Sequence, residues 1–273
     1  MGSLHRLDRE TRLDEIVEAF LGCDIILTDR DKRVGLYTRR MKENMKRSEI
    51  NAIMREADAF IRQQNFYLPP FAHWTPEEWK QKGPEAREIV QNKLGWDITD
   101  FGSGDFHHCG LFLFTIRNGR PENWKDKTGK LYAEKIMIVE EGQVTPMHFH
   151  WAKMEDIINR GGGKLLIQLY NSTPDEDIDW NREVVVSVDA VQRKLPPGGI
   201  VELSPGESIT LIQGCYHKFW GEGGRTLVGE VSLVNDDDQD NRFQEPLARF
   251  PPIVEDETPL HLLCNDYPGY YAS

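Results

Sequence analysis

From Phe101 onward the chain is written in short runs of β-branched, aromatic and aliphatic residues cut by glycine, proline and asparagine, with no helical pattern between most of them. The runs 110–116, 131–139, 164–170, 183–188, 208–212 and 226–234 are expected strands. Many short strands without intervening helices pair antiparallel and must bury one face, so the pattern predicts a mainly β fold, an antiparallel barrel or jelly roll.

The chain before Phe101 has a different period. Leu13, Ile16, Val17, Phe20 and Leu21 recur at helical spacing with Gly22 as a stop, and Ile50, Ile53, Ala57, Phe60 and Ile61 share a second helical face. Thr75-Pro76-Glu77-Glu78 is a helix start with Thr as N-cap, and 84–94 reads as another short helix. These helices are expected to pack outside the barrel. The expected organisation is a helical extension over 1–44, a helical segment over 45–100, the barrel over 101–255 and a tail over 256–273, the stretch from Pro246 wrapping the outside.

With 273 residues, one principal domain is the default. The balance of 33 Lys and Arg against 45 Asp and Glu, a net charge of -12, repels nucleic-acid phosphate and anionic membrane alike. A small neutral ligand fits better. The chain has neither a membrane-length apolar run nor a basic stretch followed by an apolar leader, so a soluble, cytoplasmic protein is expected. Cys23, Cys109, Cys215 and Cys264 form no CxxC pair, and packing is the favoured role for each, Cys215 included.

One stretch carries chemistry. After Gly142 come His148 and His150, then Glu155 and Gly162. On a strand the two histidines point to one face, and a short bend returns Glu155 toward the same point. A second segment from Gly206 ends in Gly214-Cys215-Tyr216-His217 and supplies a third imidazole from a neighbouring strand. Isolated histidines are ordinarily surface or core residues. This set, with its spaced Glu and its glycines, predicts a metal site of His148, His150, Glu155 and His217. The remaining histidines, His107 and His108 among them, are read as structural.

The two segments resemble the paired motifs of the cupin superfamily, the second departing from the pattern at Ile212 and Gly221, neither of them a ligand. A closer resemblance, from about Met45, rests on Leu68-Pro-Pro-Phe71, Lys93-Leu-Gly-Trp96, Tyr132-Ala-Glu-Lys-Ile-Met137, Thr145-Pro-Met-His-Phe-His-Trp151, Glu155-Asp-Ile-Ile-Asn-Arg-Gly-Gly-Gly163, Ser204-Pro-Gly-Glu-Ser208, Gly229-Glu-Val231 and Val234-Asn-Asp-Asp-Asp238. These look like the D-lyxose isomerase family of cupins. The resemblance implies a cupin-type barrel, one divalent ion (manganese first, with cobalt, zinc, iron or nickel as alternatives), a homodimer, and conversion of D-lyxose and often D-mannose to their ketoses.

Four protein ligands on a six-coordinate ion leave two adjacent positions for neighbouring sugar oxygens, and a base must then carry a proton between C1 and C2. Glu230, inside the apolar run 227–231, is the leading candidate: it either faces a polar cavity or pairs with a cation at the barrel edge. Lys153 either supports developing charge or donates a proton, or is a solvated loop lysine. Lys135 either holds a sugar oxygen or snorkels outward. Asp236, Asp240 and Arg242 follow the Glu230 strand, as sugar contacts or as a solvated loop. Trp151, Phe219 and Trp220 wall the pocket or pack the core. Two other functions fit the same ligands, an iron-dependent cupin dioxygenase and a non-catalytic sugar-binding cupin.

Overall fold

A computed structural model describes residues 43–272. The helix expected over 13–21, Cys23 and most of the 1–44 extension lie outside the described residues.

The first helix of the described residues, α1 (Arg47–Gln63), is amphipathic, as its spacing predicts. Ile50, Met54, Ala57 and Ile61 are buried, with Ile53 and Phe60 packed at the edge of the same cluster. Each large aliphatic side chain so buried contributes on the order of 1.5–3 kcal/mol. The Glu49 carboxylate accepts the Lys46 N–H and so closes the helix N-terminus. Thr75 and Glu78 form the expected capping box on the single turn α2 (Pro76–Trp79). A 3₁₀ turn, Pro84–Ala86, leads into α3 (Arg87–Gln91).

The strands are β1 (Gly95–Thr99), β2 (Leu111–Arg117), β3 (Tyr132–Val139), β4 (Thr145–Phe149), β5 (Glu155–Ser172), β6 (Ile178–Asp179), β7 (Val184–Val188), β8 (Val191–Leu195), β9 (Ile200–Leu203), β10 (Ser208–Leu211), β11 (Cys215–Leu233) and β12 (Arg242–Phe243), with α4 (Pro121–Asp126) between β2 and β3. All their pairings are antiparallel. The main hydrogen-bonded path runs β1-β2-β3-β11-β5-β10-β7-β8, with β4, β6, β9 and β12 branching from it. Because β8 does not pair back to β1, the fold is jelly-roll-like and open, not a closed barrel.

Two differences from expectation have physical causes. Strand pairing begins at Gly95, ahead of Phe101, because β1 is buried along its whole length and shows no alternation. The runs 164–170 and 226–234 belong to two much longer strands, β5 and β11, which carry on through glycines that read as turns. Residues 155–159 of β5 pair with 228–232 of β11, and 162–171 pair with 215–226. The register shifts between Glu222 and Thr226, where Gly223 and Gly224 lie against Gly162-Gly163, and again between Leu227 and Val228, and the two strands bend together there. Gly162 has φ +92°, and a Cβ there would collide with the Arg225 carbonyl oxygen. The bend turns one end of each strand to face the other across the interior.

Alternation then sorts the side chains. Phe112, Phe114, Ile136 and Ile138 pack under α1 with Trp96 and Ile98, whereas Leu111, Leu113, Lys135 and Met137 line an interior cavity. The stretch from Pro246 does more than wrap the outside. Leu262, Leu263, Cys264 and Tyr267 are buried, and Arg47 of α1 donates to Glu255 and Asp266. Among the described residues, no helix is long and apolar enough to cross a membrane.

Candidate metal centre and active site

His148, near the end of β4, is the register partner of His217 on β11, and the two rings lie 4.2 Å apart. His150 follows β4 directly, 5.0 Å from His148 and 5.5 Å from His217. All three are buried, and one nitrogen from each falls within 4.8 Å of the others.

Backbone carbonyls orient the rings. His148 Nδ1 lies 2.8 Å from the Pro146 oxygen, His150 Nδ1 2.6 Å from that of Asp240 and His217 Nδ1 3.0 Å from that of Cys215. A carbonyl oxygen only accepts, so each Nδ1 carries the proton and each Nε2 keeps a lone pair for the interior. Burial, and then its neighbours His217 and His150, hold the His148 imidazole well below the usual histidine range. His150 is likewise lowered, first by burial and then by Lys153.

Glu155, the first residue of β5, approaches from the facing layer. Its Oε1 lies 3.4 Å from His150 Nε2 and 3.3 Å from His217 Nε2. With the protons on Nδ1, these are acceptors facing acceptors, and His217 Nε2 is buried with no hydrogen-bond partner. A cation held on the three imidazole lone pairs, with Glu155 beside two of them, would resolve the conflict, and such a donor set suits a divalent ion. Burial opposes ionisation of Glu155, but the Lys153 ammonium outweighs it and holds the carboxyl well below the usual range.

Lys153 is no solvated loop lysine. Its buried ammonium lies 2.8 Å from Glu155 Oε2, 2.8 Å from Glu230 Oε1 and 3.1 Å from Asn235 Oδ1, which uses all three of its N–H groups. Burial works against its charge, and Glu155, Glu230 and Asp237 more than restore it, raising the pKa above the usual lysine value. Glu230 combines the two roles weighed for it, facing the cavity while flanked by Lys153 and, at 3.5 Å, by Lys135. Lys135 points inward and is also 3.5 Å from Asp237 Oδ1.

Asp240 and Arg242 do not line the cavity. The Asp240 carboxylate accepts the backbone N–H groups of Ala152 and Lys153, and Arg242 Nε pairs with Glu176 at 3.4 Å. Asp236 accepts from the Asp238 and Gln239 amides. Phe219 reaches the cavity, Trp151 is 44 % exposed, and Trp220 is buried but off the cavity wall. His107 and His108 sit at the surface against Glu140 and Asp105.

The sequence reading missed four polar cavity residues, Thr145, Asp237, Asn241 and Arg249. Arg249 forks onto Asp97 at 3.2 and 2.5 Å and lies 3.9 Å from Asp237. Asp237 is partly buried, which alone would raise its pKa, yet Lys135, Arg249 and Lys153 hold it far below the usual range. Thr145 Oγ1 is buried with no hydrogen-bond partner. The sequence signals for this group were the stretches 145–151 and 234–238 of the family resemblance, which contain Thr145 and Asp237 without marking either as a cavity residue. Asp237 and Arg249 sit in an irregular segment where no period marks an inward side chain.

Residues 45–267 match the family model for D-lyxose isomerase. The D-lyxose/D-mannose isomerase of Serratia proteamaculans is 48 % identical over 231 residues, covering 84 % of this chain and all of the relative. That of Escherichia coli O157:H7 is 49 % identical over 226 residues, covering 82 % of this chain and 98 % of the relative. Among solved structures, the L-ribose isomerase of Acinetobacter sp. DL28 in complex with L-ribose superposes with a TM-score of 0.52 at 15 % identity, covering 79 % of this chain and all of that one, a likeness of fold. On the family match and the two relatives, this chain belongs to the D-lyxose isomerase family of sugar isomerases.

Proposed function

We propose that this enzyme interconverts D-lyxose with D-xylulose and D-mannose with D-fructose, holding one divalent ion, manganese first, on His148, His150, Glu155 and His217. The observation that carries the reading is the convergence of three buried imidazole nitrogens, with the Glu155 carboxylate against two of them and tied to Glu230 through a single lysine. When bound, the ion supplies Lewis acidity to the sugar's carbonyl and adjacent hydroxyl oxygens.

The chain's own groups do the rest. Glu230 takes the proton from C2 of the aldose and returns it to C1, while the hydroxyl proton passes from O2 to O1, so the ketose forms through an enediolate with no net gain or loss of atoms. Lys153 fixes the Glu230 carboxylate and compensates its charge; with its pKa raised, it acts as a positioning cation and not as the proton donor. Lys135, Asp237, Arg249 and the unpartnered Thr145 hydroxyl supply hydrogen bonds to sugar oxygens. Leu111, Leu113, Met137 and Phe243 form the apolar wall that excludes water from the reacting carbons.

The test is conversion of D-lyxose and D-mannose by metal-stripped protein with and without manganese, followed by identification of the product sugar. Manganese-dependent xylulose or fructose is expected. No ketose from folded, metal-loaded protein would overturn the reading.

A further inference from the structure

One residue grips the segment that joins the two halves of the site at three points. The connection 150–154 between β4 and β5 begins with His150, carries Lys153 and delivers Glu155. Glu155 is held by the ladder of β5, but the segment before it has no regular structure, so His150 and Lys153 depend on what ties it down. The Gly214 N–H donates to the His150 carbonyl, the Gln213 side chain to that of Ala152 and the Leu233 N–H to that of Met154, and the remaining bonds come from Asp240. Asp240, in the segment between β11 and β12, makes three bonds to it. The Asp240 carbonyl accepts His150 Nδ1 at 2.6 Å, Oδ1 accepts the Ala152 N–H at 2.8 Å, and Oδ2 accepts the Lys153 N–H at 3.0 Å. Asp240 is itself buried and anchored by its own N–H, which donates to the Asp236 carbonyl at 2.9 Å.

We propose that Asp240 is the positioning residue of the active site: it aims the His150 lone pair and places the Lys153 ammonium between Glu155 and Glu230. The inference rests on the metal and base assignments above. It explains why a carboxylate is required. Two N–H donors meet its two oxygens, so both must accept, and an amide would set an NH₂ group against one of them. The carbonyl that orients His150 is backbone and stays in any variant, but it is placed by the carboxylate's two bonds to 152–153, so weakening those bonds displaces it. Disturbing a group that orients a ligating imidazole typically alters metal affinity or activity by about 10–100-fold. Asp240 acts on a ligand and on the lysine between the two carboxylates together, so cation affinity and turnover should fall together while substrate affinity does not.

The test uses Asp240→Asn, nearly isosteric, with Gln239→Ala as control, an exposed neighbour in the same segment. Manganese affinity is measured by calorimetric titration of the metal-stripped proteins, kcat and KM on D-lyxose at saturating manganese, and the visible absorption of the cobalt-loaded proteins. Expected for Asp240→Asn are a manganese dissociation constant raised roughly 10–100-fold, a kcat lowered by at least about tenfold with KM changed less than about threefold, an altered cobalt spectrum, and thermal unfolding of the metal-free protein within a few degrees of the parent. Gln239→Ala should match the parent throughout. Unchanged manganese affinity and cobalt spectrum would overturn the proposal, and so would loss of the cooperative unfolding transition, since Asp240 would then hold the fold and not the site. A parent protein that binds manganese but makes no ketose would count against the isomerase reading alone, because the titration and the spectrum still report on Asp240.

Discussion

At the scale of single residues, the site is a set of charges that balance one another out of water. Lys135, Lys153 and Arg249 face Glu155, Glu230, Asp97 and Asp237. Removing a group that only reacts should differ from removing one that holds the ion. Glu230→Gln keeps the shape of the side chain, so manganese content should stay as in the parent while kcat falls roughly 10²–10⁴-fold, the usual contribution of a general base. His148→Ala should instead lose the metal, as seen by elemental analysis after gel filtration; full activity in the first variant or full metal content in the second would remove that residue from its role. Thr145→Val tests the cavity from the other side. The hydroxyl has no partner in the protein, so its replacement should leave stability equal or higher and raise KM for D-lyxose; a drop in stability with KM unchanged would mean that the hydroxyl serves the fold. Cys215, two residues before His217, is pushed up to about 12 by burial, with Glu155 adding to the shift, which accords with a packing role.

The elements that make the site possible are the two long strands. In β11, His217 pairs with Leu169 and Glu230 pairs with Ile157, far apart along β5, yet both side chains line one cavity because the strands bend together at their glycines. Gly162→Ala should therefore cost at least about 2 kcal/mol in urea unfolding, from the left-handed backbone and the collision with the Arg225 carbonyl. It should also weaken manganese binding, since the bend sets the approach of Glu155 to His217. An unaltered urea midpoint would show that the bend relaxes freely. The same strands mark the limit of what the sequence makes legible. Histidines two apart on one strand, a carboxylate just beyond and a third histidine after a glycine turn announce a metal site by spacing alone. Gly161-Gly162-Gly163 reads as a turn, because nothing local distinguishes a bend within a ladder from its end. Arg249 and Asp237 escape for a related reason: their inward orientation comes from Asp97 and Lys135, which are remote in sequence.

For the whole molecule, the interior charges link stability to pH and to the metal. Asp237 has its pKa depressed in the folded state, so the unfolded chain takes up its proton first as pH falls. Its contribution is therefore complete above about pH 5 and is lost as pH drops below the ordinary aspartate value of about 3.9. Asp237→Asn should flatten the acid limb of the stability curve; an identical limb would mean that other carboxylates govern it. A metal on the three histidines would act in the neutral range by mass action. An ion that binds only the folded chain adds about 2.7 kcal/mol when present at a hundred times its dissociation constant. For a chain of this size that corresponds to a rise of roughly 5–10 °C in Tm. Manganese added to the chelator-treated protein should produce that rise, growing with the logarithm of its concentration, and His148→Ala should abolish it. A parent Tm indifferent to manganese would mean that the acceptors gathered around His217 Nε2 do not bind the ion in the folded state, and the isomerase reading would then have to proceed without it.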